Sequence, residues 1–318
     1  MTETILLDLQ ASVMDTTAFH TLVDYFQLCS AFLGFCEQTQ PTRIVSPKAP
    51  EYIFYQYDEG YAHRITRPLN VDLFFENQEV FRVAFERWIA FLSDLKKYRG
   101  AIADQKSTGD YLQSNEIDRI VYTLQQSVGC IGDSFQNPNQ SRKRVGQLFE
   151  NLVKLLIQEV GLTCESRSIN IPLPGHPGYA MSYELDLVFS QDKALITGET
   201  NFIHPSEVVG SVKTTSKDRI DKVFLDKYML TQLLGRDIPV IAIFLHDVQR
   251  ARYGKSIFGV NSTFKTNHFL GYTVALNRLD GVYYVDPRPV MIADARLQGE
   301  IQDFQTFLVR DLWTLSKR

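Results

Sequence analysis

The chain has 318 residues, of which 44% are hydrophobic and 22% are charged, and its formal net charge is −4. This composition is ordinary for a globular protein and excludes a low-complexity chain or one dominated by a block of like charge. The acidic balance counts mildly against a nucleic-acid partner, although a local basic cleft can exist within an acidic average. No apolar run approaches the ~20 residues that a membrane span needs, so we expect no membrane partner.

Cysteine usage points to a reducing compartment. The four cysteines form no CxxC pair and have no histidine at zinc-binding spacing: Cys29, Cys36, Cys130 and Cys164. We therefore interpret them as reduced, structural residues of a cytoplasmic protein. The beginning of the sequence lacks a basic region followed by a long apolar stretch, so we expect no signal peptide.

Residues 1–135 are predicted to form a mainly helical N-terminal region. The alternating segment Tyr52 to Tyr57 is typical of a short strand, and the polar stretch Gly100 to Asp110 is typical of a loop. Apolar residues at spacings of three and four predict helices over about residues 1–40, 71–99 and 114–128.

The polar run Gln136 to Ser141 predicts a domain boundary, after which the pattern changes. Periodicity predicts helices at residues 142–160, 219–234 and 297–315. Strands are predicted at residues 165–173, 183–189, 194–198, 207–214 and 239–245, with strand pairs near 272–286. This order of elements predicts an α/β core with a mixed central sheet flanked by helices over residues 136–318.

Two side chains of this sheet suggest phosphodiester hydrolysis. We expect Asp186 at the end of an alternating strand and Lys213 at the end of the strand Val208 to Lys213, with a hairpin between them. A strand register can then place both side chains at one sheet edge. A carboxylate there can bind Mg²⁺, and a lysine beside it can orient or deprotonate the attacking water and stabilise charge on phosphorus.

One carboxylate binds Mg²⁺ poorly, and the position two residues before Lys213 is Ser211 rather than an acid. Asp226 is a candidate second acid because it lies thirteen residues after Lys213, on the following predicted helix. Glu150, on the helix before the strands, is a further candidate. Other acids stay open as ligands or as partners of ligands: Glu184, on the same strand face as Asp186, and Glu199.

This arrangement resembles the PD-(D/E)XK type II restriction endonucleases, and in particular the branch that holds EcoRII, SsoII, PspGI and NgoMIV. The resemblance covers roughly residues 142–250. It implies that Asp226 replaces the acid missing at Ser211, and that Lys217-Asp218-Arg219 reads C and G pairs in the major groove. The chain departs from the branch at Lys217, where Arg is more frequent, and at Asp226, where Glu is usual.

The resemblance implies a bacterial enzyme that cuts both strands of a short palindrome with a CCGG- or CCNGG-type core. Two-fold symmetry of the target predicts a homodimer, with a tetramer as an alternative, and residues 1–135 would add dimer or DNA contacts. Arg142 to Arg144 is interpreted as a solvated helix start that can touch DNA backbone, and His246-Asp247 as a loop. Two other hypotheses are a catalytically silent DNA-binding protein and a repair endonuclease that nicks without a fixed sequence.

Overall fold

The computed structural model describes residues 2–57, 64–98, 111, 113–192 and 202–317. Its contacts divide the chain into two units, each built from separated segments. The first unit takes residues 1–92, 110–155 and 247–263, and the second takes residues 93–109, 156–246 and 264–318. The functional division at residues 135 and 136 stays a prediction.

The described helices and strands are as follows. The helices are α1 (Thr2–Met14), α2 (Leu22–Thr39), α3 (Gln78–Tyr98), α4 (Glu116–Asp133), α5 (Pro138–Glu159), α6 (Ile220–Leu234), α7 (Thr266–Ala275), α8 (Pro289–Ala293), α9 (Phe304–Thr306) and, after a π-helical turn (Phe307–Asp311), α10 (Leu312–Leu315). The strands are β1 (Thr42–Val45), β2 (Tyr52–Gln56), β3 (Leu69–Asn70), β4 (Thr163–Pro172), β5 (Ala180–Ser190), β6 (Val208–Thr215), β7 (Val240–His246), β8 (Val248–Tyr253), β9 (Ser256–Ser262), β10 (Gly281–Asp286) and β11 (Ile301–Asp303).

The first unit combines helices with a small antiparallel sheet in the order β1-β2-β3 and the hairpin β8-β9. Local chemistry starts α2, because the Thr21 side chain accepts a hydrogen bond from the Asp24 backbone N–H while the Asp24 carboxylate accepts one from the Thr21 N–H at 2.7 Å. Trp88 on α3 is fully buried and belongs to the core.

The second unit is built on a six-stranded sheet in the order β11-β10-β7-β6-β5-β4. Strands β4, β5 and β6 pair antiparallel, whereas β6, β7, β10 and β11 pair parallel. All seven residues of β7 are buried, as expected for a parallel strand with both faces covered. The mixed sheet with flanking helices confirms the predicted fold class.

Several predicted boundaries were wrong. Residues 266–275 form helix α7 rather than the first strand of a pair, and the predicted C-terminal helix begins with β11, which pairs in parallel with β10. Helix α3 starts at Gln78 rather than near residue 71 because the Asn77 side chain accepts the Val80 N–H at 2.9 Å. The predicted strand 194–198 and the loop 100–110 lie outside the described residues.

All four cysteines are free and buried, as predicted. Burial raises the pKa of the Cys29 thiol to about 12, and it also raises the pKa of the Cys36 and Cys130 thiols. These thiols therefore stay protonated and inert at neutral pH. Among the described residues, no helix is both long and apolar enough to cross a membrane.

A buried ion pair attaches α6 to the sheet of the second unit. The Lys227 side chain on α6 is 4% exposed, and its Nζ donates to Asp280 Oδ2 at 2.7 Å and to the Arg278 carbonyl at 2.6 Å. Asp280 Oδ2 also accepts the backbone N–H of Val240 at 2.9 Å. Because Asp280 directly precedes β10 and Val240 begins β7, one carboxylate joins the helix to two strands.

We expect the substitution Lys227→Met to lower the free energy of unfolding by about 3–5 kcal/mol, because it leaves the buried Asp280 carboxylate without its cation. Urea unfolding measures this change. The exposed Lys143 supplies the matched control, since Lys143→Met should stay within about 0.5 kcal/mol of the wild type. A loss below about 1 kcal/mol for Lys227→Met would show that the ion pair contributes little.

Candidate active site

The site forms where the pairing of β5 and β6 stops. The last described pair of this ladder is Leu187 opposite Gly210. At the next position the Asp186 carboxylate replaces the strand partner, because its Oδ2 accepts the backbone N–H of Val212 at 2.8 Å. Asp186 therefore lies within β5, not at the end of a strand as the sequence predicted.

Two side chains of β6 add donors to the same oxygen. Lys213 Nζ lies 2.5 Å from Asp186 Oδ2, and Ser211 Oγ lies 3.2 Å from it. The side chains of Lys213 and Asp186 are 29% and 16% exposed, so the ion pair is partly shielded from water. These three donors all reach the same oxygen, Asp186 Oδ2. The predicted meeting of Asp186 and Lys213 is thus present.

Helix α6 brings Asp226 into the same pocket. The polar side chains that line this pocket are Tyr183, Glu184, Asp186, Ser211, Lys213, Arg219, Lys222 and Asp226. Burial raises the pKa of the Asp226 carboxyl, the Asp186 charge raises it further, and the cations Lys222 and Lys213 act in the opposite direction. A carboxylate pair whose charges repel one another is a suitable setting for a divalent cation.

A pair of carboxylates is compatible with the usual ligands of Mg²⁺. Within the part of the chain that the structure describes, no three His, Cys, Asp or Glu side chains are grouped as metal ligands. Mg²⁺ usually keeps several waters and takes one or two carboxylates together with substrate phosphate. Asp186 and Asp226 supply such a pair.

The remaining candidate acids are placed differently. Glu184 is exposed and lines the same pocket. It therefore stays an alternative ligand. Glu150 lies half-buried on α5, in a segment of the first unit, and its role as a ligand stays a prediction. Glu199 lies outside the described residues.

Lys217, Asp218 and Arg219 form the exposed connection between β6 and α6. Asp218 has a φ of 52°, a left-handed conformation that Asp tolerates better than most residues. Beside it, Ser216 donates its N–H to the His246 carbonyl at 3.2 Å and accepts the Arg219 N–H at 3.2 Å. The turn therefore presents three charged side chains to solvent from an anchored backbone.

Sequence reasoning missed two residues of the pocket. The Tyr183 side chain is 7% exposed, and its hydroxyl has no hydrogen-bond partner among the described residues. Lys222 lies four residues before Asp226 on α6, a helical spacing at which a cation and an acid become neighbours. That spacing was readable in the sequence, whereas the environment of the Tyr183 hydroxyl depends on tertiary packing.

His246 and Asp247 do not form the predicted loop, because His246 ends β7 and β8 begins at Val248. The Asp247 side chain is fully buried and accepts a hydrogen bond from the Ser262 hydroxyl. Arg144 donates its Nε to the Val13 carbonyl at 2.7 Å, so this cation is committed in part to the end of α1.

The fold is similar to that of a type II restriction endonuclease of known structure. A solved structure with this fold is the type IIP restriction endonuclease Kpn2I, which matches over 93% of this chain and 91% of its own chain with a TM-score of 0.66 and 17% identity. A complex of the restriction endonuclease PspGI with substrate DNA matches over 63% of this chain and 80% of its own, with a TM-score of 0.40 and 13% identity. No protein-family model and no curated protein matches the sequence.

We expect Asp226→Asn to stabilise the protein at neutral pH in the absence of divalent cations. The pKa of Asp226 is raised in the folded state, so the folded protein holds this proton more tightly than the unfolded chain does. Stability is therefore lost as the pH rises through the folded pKa. Removing the charge should recover up to about 1 kcal/mol, the range for a partly solvated charge.

Urea unfolding at neutral and at acid pH measures this effect, which should vanish below the ordinary pKa of Asp. Asp221→Asn is the matched control, because Asp221 is exposed in the first turn of the same helix. A loss of stability in Asp226→Asn at neutral pH would contradict the expectation.

Proposed function

We propose that this chain is a type II restriction endonuclease that makes Mg²⁺-dependent double-strand cuts in a short C/G-rich palindrome with a CCGG- or CCNGG-type core. The observation that carries the proposal is the contact between Lys213 and Asp186, in a pocket that also contains Asp226. A carboxylate pair with an ammonium beside it suits the hydrolysis of a phosphodiester. The restriction-endonuclease fold supports the same conclusion.

Asp186 and Asp226 would hold the metal, through carboxylate oxygens that face one pocket. When bound, Mg²⁺ supplies positive charge to the scissile phosphate and makes a coordinated water easier to deprotonate. The three donors on Asp186 Oδ2 fix the direction of this carboxylate before substrate arrives. Preorganisation of this kind lowers the cost of reaching the transition state.

Lys213 would act on the attacking water and on the phosphate. Its Nζ carries three donor positions and contacts Asp186 Oδ2, and an ammonium at this place can orient the water and stabilise charge developing on phosphorus. Lys222, which also lines the pocket, supplies a second ammonium near Asp226. With Glu184 and Arg219 included, the pocket lining contains three carboxylates and three cations.

Lys217, Asp218 and Arg219 would read the base pairs. A guanidinium can donate two hydrogen bonds to guanine O6 and N7, and a carboxylate can accept from cytosine N4. Their exposure on a turn beside the pocket suits contact with a major groove. A palindromic target has two equivalent half-sites, so the active form would be a homodimer, or a tetramer built from such dimers.

We expect Asp186→Asn to reduce Mg²⁺-dependent cleavage of plasmid DNA by about a hundredfold or more, because it removes the negative charge of a metal-binding carboxylate while keeping the side-chain shape. Asp226→Asn should reduce it similarly. Glu184→Gln and Glu150→Gln test the alternative ligands, and either variant should cut normally if Asp226 is the second acid. Circular dichroism checks that each variant is folded.

Equal cutting by Asp186→Asn and by the wild type would contradict the site assignment. Two other outcomes would favour the alternative functions. DNA binding without any Mg²⁺-dependent fragments from the wild type would indicate a silent DNA-binding protein. Cut ends with no common sequence would indicate a repair endonuclease.

We expect Arg219→Lys to relax specificity, because lysine cannot donate two hydrogen bonds in the planar geometry that guanine requires. The preference for a G·C pair at one target position should fall by about 1–3 kcal/mol. Competition between a cognate duplex and duplexes substituted at each position measures it. Equal weakening for all duplexes would show that Arg219 contacts a phosphate instead.

A further inference from the structure

The hairpin β8-β9 is a concentration of positive charge in an acidic chain. Between Val248 and Ser262 the sequence contains Arg250, Arg252 and Lys255 and no acidic residue, whereas the whole chain carries a net charge of −4. The side chains of all three cations are exposed. Three cations and no acid within so short a segment form a local positive field that the net charge conceals.

The base of the hairpin is fixed to the small sheet of the first unit. The Phe258 ring contacts the Phe54 ring of β2 edge-on, with 5.6 Å between their centroids. Val248 packs in a buried cluster with Tyr52, and Arg250 Nη1 donates to the Ile65 carbonyl at 2.8 Å. The tip is therefore presented from a packed support.

The tip adds an aromatic ring and a fourth cation. Tyr253 is 39% exposed, and Lys48 Nζ lies 3.8 Å from the centroid of its ring. Gly254 turns the chain with a φ of 56°, which separates Tyr253 from Lys255. A cation held over an exposed ring, with Arg252 and Lys255 on either side of the turn, makes a compact cationic surface.

Strands β8 and β9 approach each other closely just before this cationic surface. A Cβ on Gly259 would lie 2.5 Å from the Ala251 carbonyl oxygen, so the backbones come closer than any side chain would permit. The pairing is irregular between Ala251 and Tyr253, and such a bulge bends a strand and redirects its side chains. We therefore expect the bend at Ala251 to Tyr253, directly before the turn at the tip.

We infer that the tip of β8-β9 binds the phosphate backbone of duplex DNA, as a contact surface additional to Lys217, Asp218 and Arg219. This inference rests on the proposed function for the presence of DNA. Lys and Arg neutralise phosphates without reading the base sequence. The hairpin would therefore supply affinity, while the turn before α6 would supply specificity.

The experiment measures the binding of duplex DNA in EDTA, so that no strand is cut, over a series of salt concentrations. The variant is Arg252→Gln with Lys255→Gln. Each phosphate contact contributes about 0.9 to the slope of log affinity against log salt concentration. We expect the double variant to reduce this slope by roughly two, and to weaken cognate and non-cognate duplexes by the same factor.

Two matched variants separate charge from shape and from position. Arg252→Lys with Lys255→Arg keeps both charges and should keep the wild-type slope. Lys96→Gln with Lys97→Gln removes two exposed cations of α3 and should also leave the slope unchanged. Thermal unfolding checks that all variants keep the wild-type stability, as expected for exposed positions.

The outcomes distinguish this inference from the proposed function. Failure of the wild type to bind any duplex would overturn the proposed function and the hairpin inference together. Binding by the wild type with an unchanged slope in Arg252→Gln/Lys255→Gln would overturn the hairpin inference alone. Weakening restricted to the cognate duplex would also overturn it, because the hairpin would then read bases.

Discussion

The candidate site depends on one carboxylate oxygen, Asp186 Oδ2, which receives a backbone N–H, a hydroxyl and an ammonium from three consecutive residues of β6. The backbone bond from Val212 replaces a strand-to-strand bond, so the sheet itself aims the carboxylate. The same oxygen attracts Lys213 and holds its ammonium at the pocket. Loss of the Asp186 charge would therefore remove a proposed metal ligand and also disturb the position of the lysine, because electrostatic interactions are stronger where water is partly excluded.

Helix α6 carries a structural and a candidate catalytic residue side by side. Lys227 is buried and paired with Asp280, while its neighbour Asp226 faces the pocket, because consecutive helical side chains point about 100° apart. The structural pair is satisfied, but Asp226 bears a raised pKa because burial opposes its charge. Active sites often contain such locally unfavourable charges, because function and maximal stability make different demands on the same residues.

The proposed division of roles between two cationic surfaces would allow an acidic chain to bind DNA. Exposed Lys217 and Arg219 lie on the turn that enters α6, beside an acid that can accept from a base. The hairpin β8-β9 has no acid between its ends, so its field is suited to phosphates rather than to a donor–acceptor pattern. Affinity and specificity would then respond separately to salt and to base substitution.

Periodicity in the sequence by itself determined the alternating strand around Asp186, the apolar strand β7 and the helix that bears Asp226, because these patterns repeat over neighbouring residues. The order of the predicted strands also indicated that Asp186 and Lys213 could meet, since strand order limits which side chains become neighbours. Tertiary structure alone decided the bond from Val212 to Asp186, the burial of Tyr183, the pairing of β11 with β10 and the hairpin that follows β7. Each of these features depends on residues that are distant in the chain, and local sequence propensity does not depend on such residues.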